Sequence, residues 1–134
     1  MVHNGSLLAL DVGEKRIGVA LADPSIRIAV AHSTISVDGT EHSRIKELVA
    51  SEKVETIVIG YPRNQSGEPT AQTHYVEVFA NQLQDIHAHI VFQDESVTSI
   101  QAEKLLQAQK RPYAKADIDA LAASLILQDY LERH

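Results

Sequence analysis

The sequence predicts an α/β layered domain: a five-stranded mixed sheet flanked by helices. Three observations carry this. Two apolar runs, residues 7–12 and 17–22, are separated only by residues 13–16, the spacing of an antiparallel hairpin. The run "TIVIG" at 56–60 is continuously apolar, as in a strand covered on both faces. From there onward, apolar runs alternate with stretches of helical period, the pattern of strands joined by crossover helices.

The elements follow in order. Residues 7–12 and 17–22 form the hairpin, and 26–35, rich in Ile, Val and Ala, read as a third strand. Residues 40–50 read as a helix with Ile45, Leu48 and Val49 on one face. The strand 56–60 opens into the turn-rich loop 61–69, marked by Pro62, Gly67 and Pro69. Residues 70–83 place Val76, Phe79, Ala80 and Leu83 at helical spacing, and 88–92 read as the fifth strand. Helices are expected over 98–109 and 117–130. The stretch "ALAASLIL" in the second is apolar at nearly every position and must be buried on most of its surface.

Composition narrows the function. The chain has 134 residues with 44% apolar content, which fits one domain, 1–134, with a real core. It contains no cysteine, so disulfides and thiolate metal sites are excluded and a reducing compartment is expected. No segment approaches the roughly 18 apolar residues of a membrane span. The opening "MVHNGS" lacks the regions of a signal peptide, which points to the cytoplasm and away from membranes. A net charge of −6 argues against indiscriminate nucleic-acid binding while leaving room for a local basic patch.

The carboxylates carry the chemistry. Asp11 ends the first strand, and a charge at the tip of a buried strand needs compensation. Asp94 and Glu95 follow the fifth strand, and Asp117 and Asp119 open the last helix. Strand ends and a helix start converge at one edge of an open α/β sheet, the usual crevice for ligands. Acids gathered there repel one another, and hard divalent cations such as Mg²⁺ or Mn²⁺ relieve that repulsion. Each acid also has a plainer role. Asp11-Val12-Gly13 is a turn signal, Asp117 suits an N-cap, and Asp119 suits the positive end of the helix dipole. The seven histidines show no pair at helical metal-ligand spacing. Positive charge concentrates beside the acids: Lys15 and Arg16 in the hairpin, and Lys104, Lys110, Arg111 and Lys115 in "KLLQAQKRPYAKA", which contains no acid. Basic residues beside a metal site suit a phosphate backbone.

The segments "LLALDVGEKRIGVALAD", "TIVIGYPRNQSGEPT", "VFQDESVTSIQAEKLL" and "DIDALAASLILQDYL" together resemble the YqgF/RuvX family of bacterial pre-16S rRNA nucleases, also described as Holliday-junction-resolvase-like proteins. The resemblance covers nearly the whole chain. It implies a ribonuclease H-like fold and a metal-binding site of three acids. These fall on Asp11, on Glu95 and on Asp119, which is preferred over Asp117. The chain departs from the family in having Ser96 where an arginine usually follows the glutamate, and serine makes no charged bidentate phosphate contact. The resemblance implies a Mg²⁺- or Mn²⁺-dependent nuclease processing the 5′ end of pre-16S rRNA. Lys15, Arg16, Arg63, Asn64, Lys110 and Arg111 would hold the nucleic acid. The alternatives are a junction-cleaving DNA endonuclease, which needs two sites and hence a homodimer where trimming needs only a monomer, and a non-catalytic ribosome-assembly factor. A nucleotide-binding module related to actin-like ATPases ranks last, because the chain has no room for the second domain that encloses ATP.

Overall fold

A computed structural model describes residues 5–62, 68–95, 98–109 and 114–134, without the side chains of 95, 98–101 and 103. Strands β1 (Ser6–Val12) and β2 (Arg16–Ala22) form the expected hairpin, in register from Leu7↔Ala22 to Val12↔Ile17. The turn is closed by the Gly13 N–H donating to the Arg16 carbonyl at 3.0 Å. β3 (Ala29–Ser36) runs antiparallel to β2. Helix α1 (Glu41–Ser51) leads into β4 (Val54–Pro62), which lies parallel to β1. Helix α2 (Ala71–Gln82) leads into β5 (His89–Glu95), parallel to β4. Helices α3 (Thr98–Ala108) and α4 (Lys115–Arg133) complete the chain. The described strands form one mixed sheet, as the sequence predicts, and their order is β3-β2-β1-β4-β5.

β4 runs two residues beyond 56–60 at each end, taking Tyr61 and Pro62 from the expected loop, and three further boundaries differ. β3 starts at Ala29 rather than 26, because the Asp23 carboxylate accepts from the Ser25 N–H and hydroxyl and holds a turn. Arg27 follows with φ 62°, and Ile26 and Ile28 are left exposed. β5 begins and ends later than 88–92, so Asp94 and Glu95 are its last residues instead of following it. α4 begins at Lys115, two residues before Asp117.

The sheet separates two cores. Leu8, Leu10, Ile17, Val19, Ile57 and Ile59 project to one side, against Ile45 and Val49 of α1 and Val76 and Phe79 of α2. Leu7, Ala9, Ala20, Ala22 and Val58 project to the other, against Ala123, Ile126, Leu127 and Leu131 of α4. The near-continuous apolar sequence of α4 is accounted for by its burial along almost its whole length, from Ala120 to Leu131. Side chains tie the layers together: Gln72 donates to the Val12 carbonyl at 3.0 Å, and buried Gln93 donates to Asp129 of α4 at 2.8 Å.

Candidate active site

Strand alternation decides which side of the sheet each acid occupies. Leu7 and Ala9 face α4, so Asp11, next in that series, stands on the α4 side at the end of β1, partly buried. Its partner across the hairpin is Gly18. At Gly18 the sheet has no side chain to present, and α4 fills the space: a Cβ placed there would lie 1.9 Å from the Asp119 carbonyl oxygen. The first turns of α4 therefore rest on the backbone of the residue paired with Asp11. Chain positions more than a hundred residues apart meet at one end of the sheet because a glycine allows a helix to touch a strand.

Two side chains fix the helix start in that seat. Thr34, opposite Gly18 on β3, donates its hydroxyl to the Ala116 carbonyl at 2.6 Å. Arg16, two residues before Gly18 and on the same face, donates from Nε to Asp119 Oδ2 at 2.5 Å. Both partners are partly accessible, with side chains 38% and 21% exposed. Asp117 takes a different part. It sits in the first turn, not at the N-cap, and its carboxylate accepts from the Ala114 N–H at 2.8 Å. Asp117 thus caps the helix from inside while remaining exposed, and Asp119 alone of the pair turns toward the sheet.

On β5, Asp94 pairs in register with Tyr61, and Glu95 with Pro62. Gln93 lies on the α4 side, bonded to Asp129, so position 95 falls on that side and Asp94 on the opposite one. Asp94 is exposed in a cleft with Tyr61, Glu77, Phe92 and Arg133. The structure therefore separates two acids that are adjacent in sequence. The side chain of Glu95 lies outside the described residues, as do Arg63, Asn64, Ser96, Lys110 and Arg111. Lys15 is exposed at the hairpin turn, where its carbonyl accepts from the Val37 N–H at 2.9 Å.

Sequence reasoning missed Gly18. The signal was present in "RIGVAL": a glycine inside a strand pattern marks a close approach of backbone. It also assigned Arg16 to the nucleic acid without foreseeing Asp119 as its partner.

Among the described residues no group of three His, Asp or Glu side chains forms a ready metal cage. The donor chemistry of Asp11 and Asp119 nevertheless suits a hard divalent ion. In the structure the Asp119 carboxylate is compensated by the Arg16 guanidinium.

The sequence matches the RuvX family, described as Holliday junction resolvase, over residues 5–133. It is 41% identical over 131 residues to a protein of Chloroflexus aurantiacus, covering 94% of this chain and 86% of that one. It is 36% identical over 135 residues to a protein of Streptococcus uberis, covering 95% and 97%. Both carry the name "Putative pre-16S rRNA nuclease". Among solved structures it resembles Thermus thermophilus RuvC in complex with a Holliday junction substrate, with TM-score 0.57, 13% identity, and 97% and 95% of the two chains covered. It also resembles the Fowlpox virus resolvase bound to Holliday junction DNA, with TM-score 0.55, 11% identity, and 96% and 97% covered. The fold is ribonuclease H-like.

Proposed function

Because the chain belongs to the RuvX family, we propose that it is a metal-dependent nuclease that processes the 5′ end of precursor 16S rRNA, with Asp11, Glu95 and Asp119 as its catalytic acids. The observation that carries this reading is the seating of α4 on Gly18, which brings Asp119 beside the strand position paired with Asp11. Glu95 is supported by its register position at the end of β5, on the α4 side of the sheet. Mg²⁺ or Mn²⁺, when bound, supplies an activated water and a charge to stabilise the leaving oxygen.

The chain's own residues do the rest. Asp11, at the end of the central strand β1, would be the ligand common to the bound ions, with Glu95 and Asp119 as the other two acids of the set. Lys15 at the hairpin turn and Arg16 beside Asp119 offset the charge of the phosphate undergoing cleavage. Arg63, Asn64, Lys110 and Arg111 have the chemistry to follow the nucleic-acid backbone on either side. One domain, residues 1–134, carries the activity. The absence of cysteine suits the cytoplasm, and no described helix is long and apolar enough to cross a membrane.

The family description and the junction-bound neighbours favour a second substrate, branched DNA. Incubating the protein with end-labelled precursor 16S rRNA and with a four-way DNA junction, each in Mn²⁺ and in EDTA, decides between them. The expected result is shortening of the rRNA precursor in Mn²⁺ and none in EDTA, by a monomer. Cleavage of the junction alone, by a homodimer, establishes the second substrate. Cleavage that persists in EDTA overturns the metal dependence, and no cleavage of either substrate leaves a non-catalytic assembly factor.

A further inference from the structure

Arg16 is committed to Asp119 in a way that bears on how the site exchanges cations. The contact is single-pointed. Nε alone meets Oδ2, without the second parallel bond that gives a bidentate arginine–carboxylate pair its extra strength. Among the described residues Asp119 has no other hydrogen-bond or ion-pair partner. The Arg16 side chain is 38% exposed and projects from the first residue of β2, so it has water beside it and room to leave.

Acidic residues placed close together repel unless a cation stands among them. Among the described residues the cation that meets the Asp119 carboxylate is Arg16. A guanidinium keeps its charge at every accessible pH, so it compensates Asp119 whether or not anything else is bound. A divalent ion entering the same carboxylate supplies that compensation with twice the charge. Two like charges within a few ångströms then repel, and the side chain with the flexible stem is the one that moves. On the reading of this edge as a metal site, we infer that Arg16 is the resident counterion of Asp119, competes with the divalent ion for it, and gives it up when the ion enters. Arg16 is thus a positioning residue acting through Asp119.

The sign of its effect on metal affinity distinguishes this from a simple structural clamp. The experiment is a Mn²⁺ titration followed by the electron paramagnetic resonance signal of free Mn²⁺, with the metal alone and no nucleic acid. It uses the full chain, Arg16→Gln, Arg16→Lys, Asp11→Asn, Asp119→Asn, and Arg44→Gln on α1 as a control for net charge. Arg16→Gln is expected to bind Mn²⁺ roughly three- to tenfold more tightly than the unmodified chain, from the lost like-charge repulsion. Arg16→Lys, which keeps the charge, and Arg44→Gln should both stay within about twofold of the unmodified chain. In EDTA, Arg16→Gln should melt below the unmodified chain, and Mn²⁺ should raise its Tm by more. Equal or weaker Mn²⁺ binding by Arg16→Gln overturns the exchange, and the weaker result makes Arg16 a holder of Asp119 for the ion. If Asp11→Asn and Asp119→Asn bind Mn²⁺ as the unmodified chain does, or that chain binds none, the metal site itself fails and the exchange falls with it. Loss of Mn²⁺ in those two variants with no change in Arg16→Gln sinks the exchange alone.

Discussion

The two faces of the sheet are packed with different materials. Toward α1 and α2 the strands present large aliphatic side chains, among them Leu8, Leu10, Ile17, Ile57 and Ile59, each fully buried. Toward α4 they present mostly small groups, Ala9, Gly18, Ala20 and Ala22 beside Leu7 and Val58, met by Ala123, Ile126 and Leu127 on the helix. Large groups keep helices at a distance and remove more apolar area from water, which is where folding free energy comes from. Small groups contribute less area but let a helix backbone come down onto a strand. Asp11 and Asp119 lie on the close-packed side. One face carries most of the large buried aliphatic side chains and the other seats the start of α4 on Gly18, the partner of Asp11, and substitutions should separate the two.

The sharpest way to break this division is Gly18→Val. Even the Cβ has no space beneath the Asp119 carbonyl, and the branched side chain adds more. Overpacking of this kind costs about 3 kcal/mol. Because the displaced part is the start of α4, nuclease activity per folded molecule should fall by more than about a hundredfold, as expected for misplaced catalytic groups. Chemical denaturation and single-turnover cleavage on the same preparation read both effects. Full activity in Gly18→Val would mean that the contact positions nothing.

Leu8→Ala tests the other face. It removes a fully buried side chain from the α1/α2 core and should lower stability by roughly 2–5 kcal/mol. Cleavage per folded molecule, measured well below the melting transition, should be unchanged. A rate loss as large as that of Gly18→Val would erase the distinction between the faces.

The smallest expected effect belongs to Asp117. Asp117→Ala removes the acceptor for the Ala114 N–H and should cost about 1 kcal/mol with most activity kept. Asp117→Asn, which retains an oxygen acceptor, should cost less. An inactive Asp117→Asn would mean that the helix presents the wrong acid to the sheet in this account.

How much of this was legible in the sequence depended on whether the signal was local. The hairpin, the parallel strands and the buried last helix were readable, because alternation and apolar runs report burial directly. The start of α4 was displaced because Ala114, Lys115 and Ala116 carry no capping signal, so Asp117 looked like the cap when it serves from within the first turn. Ile26 and Ile28 looked like strand by composition, but the turn at Asp23 keeps them unpaired and exposed. Asp94 and Glu95 looked like loop because charge at a strand's end resembles its termination, and only the register with Tyr61 and Pro62 shows that β5 continues through them. Gly18 and the Arg16–Asp119 pair are tertiary facts, formed by segments a hundred residues apart, and no window along the chain contains both partners.

On the proposed function, Asp119, delivered by the close-packed face, works with Asp11 on the scissile phosphate. The most direct test is the cleavage rate of Asp119→Asn on labelled precursor 16S rRNA in Mn²⁺, with its Tm measured alongside. The change preserves shape and one hydrogen-bond acceptor while removing the charge that a divalent ion requires. Loss of nearly all cleavage with a Tm within a few degrees of the unmodified chain is the predicted result. Cleavage at the unmodified rate would contradict the account.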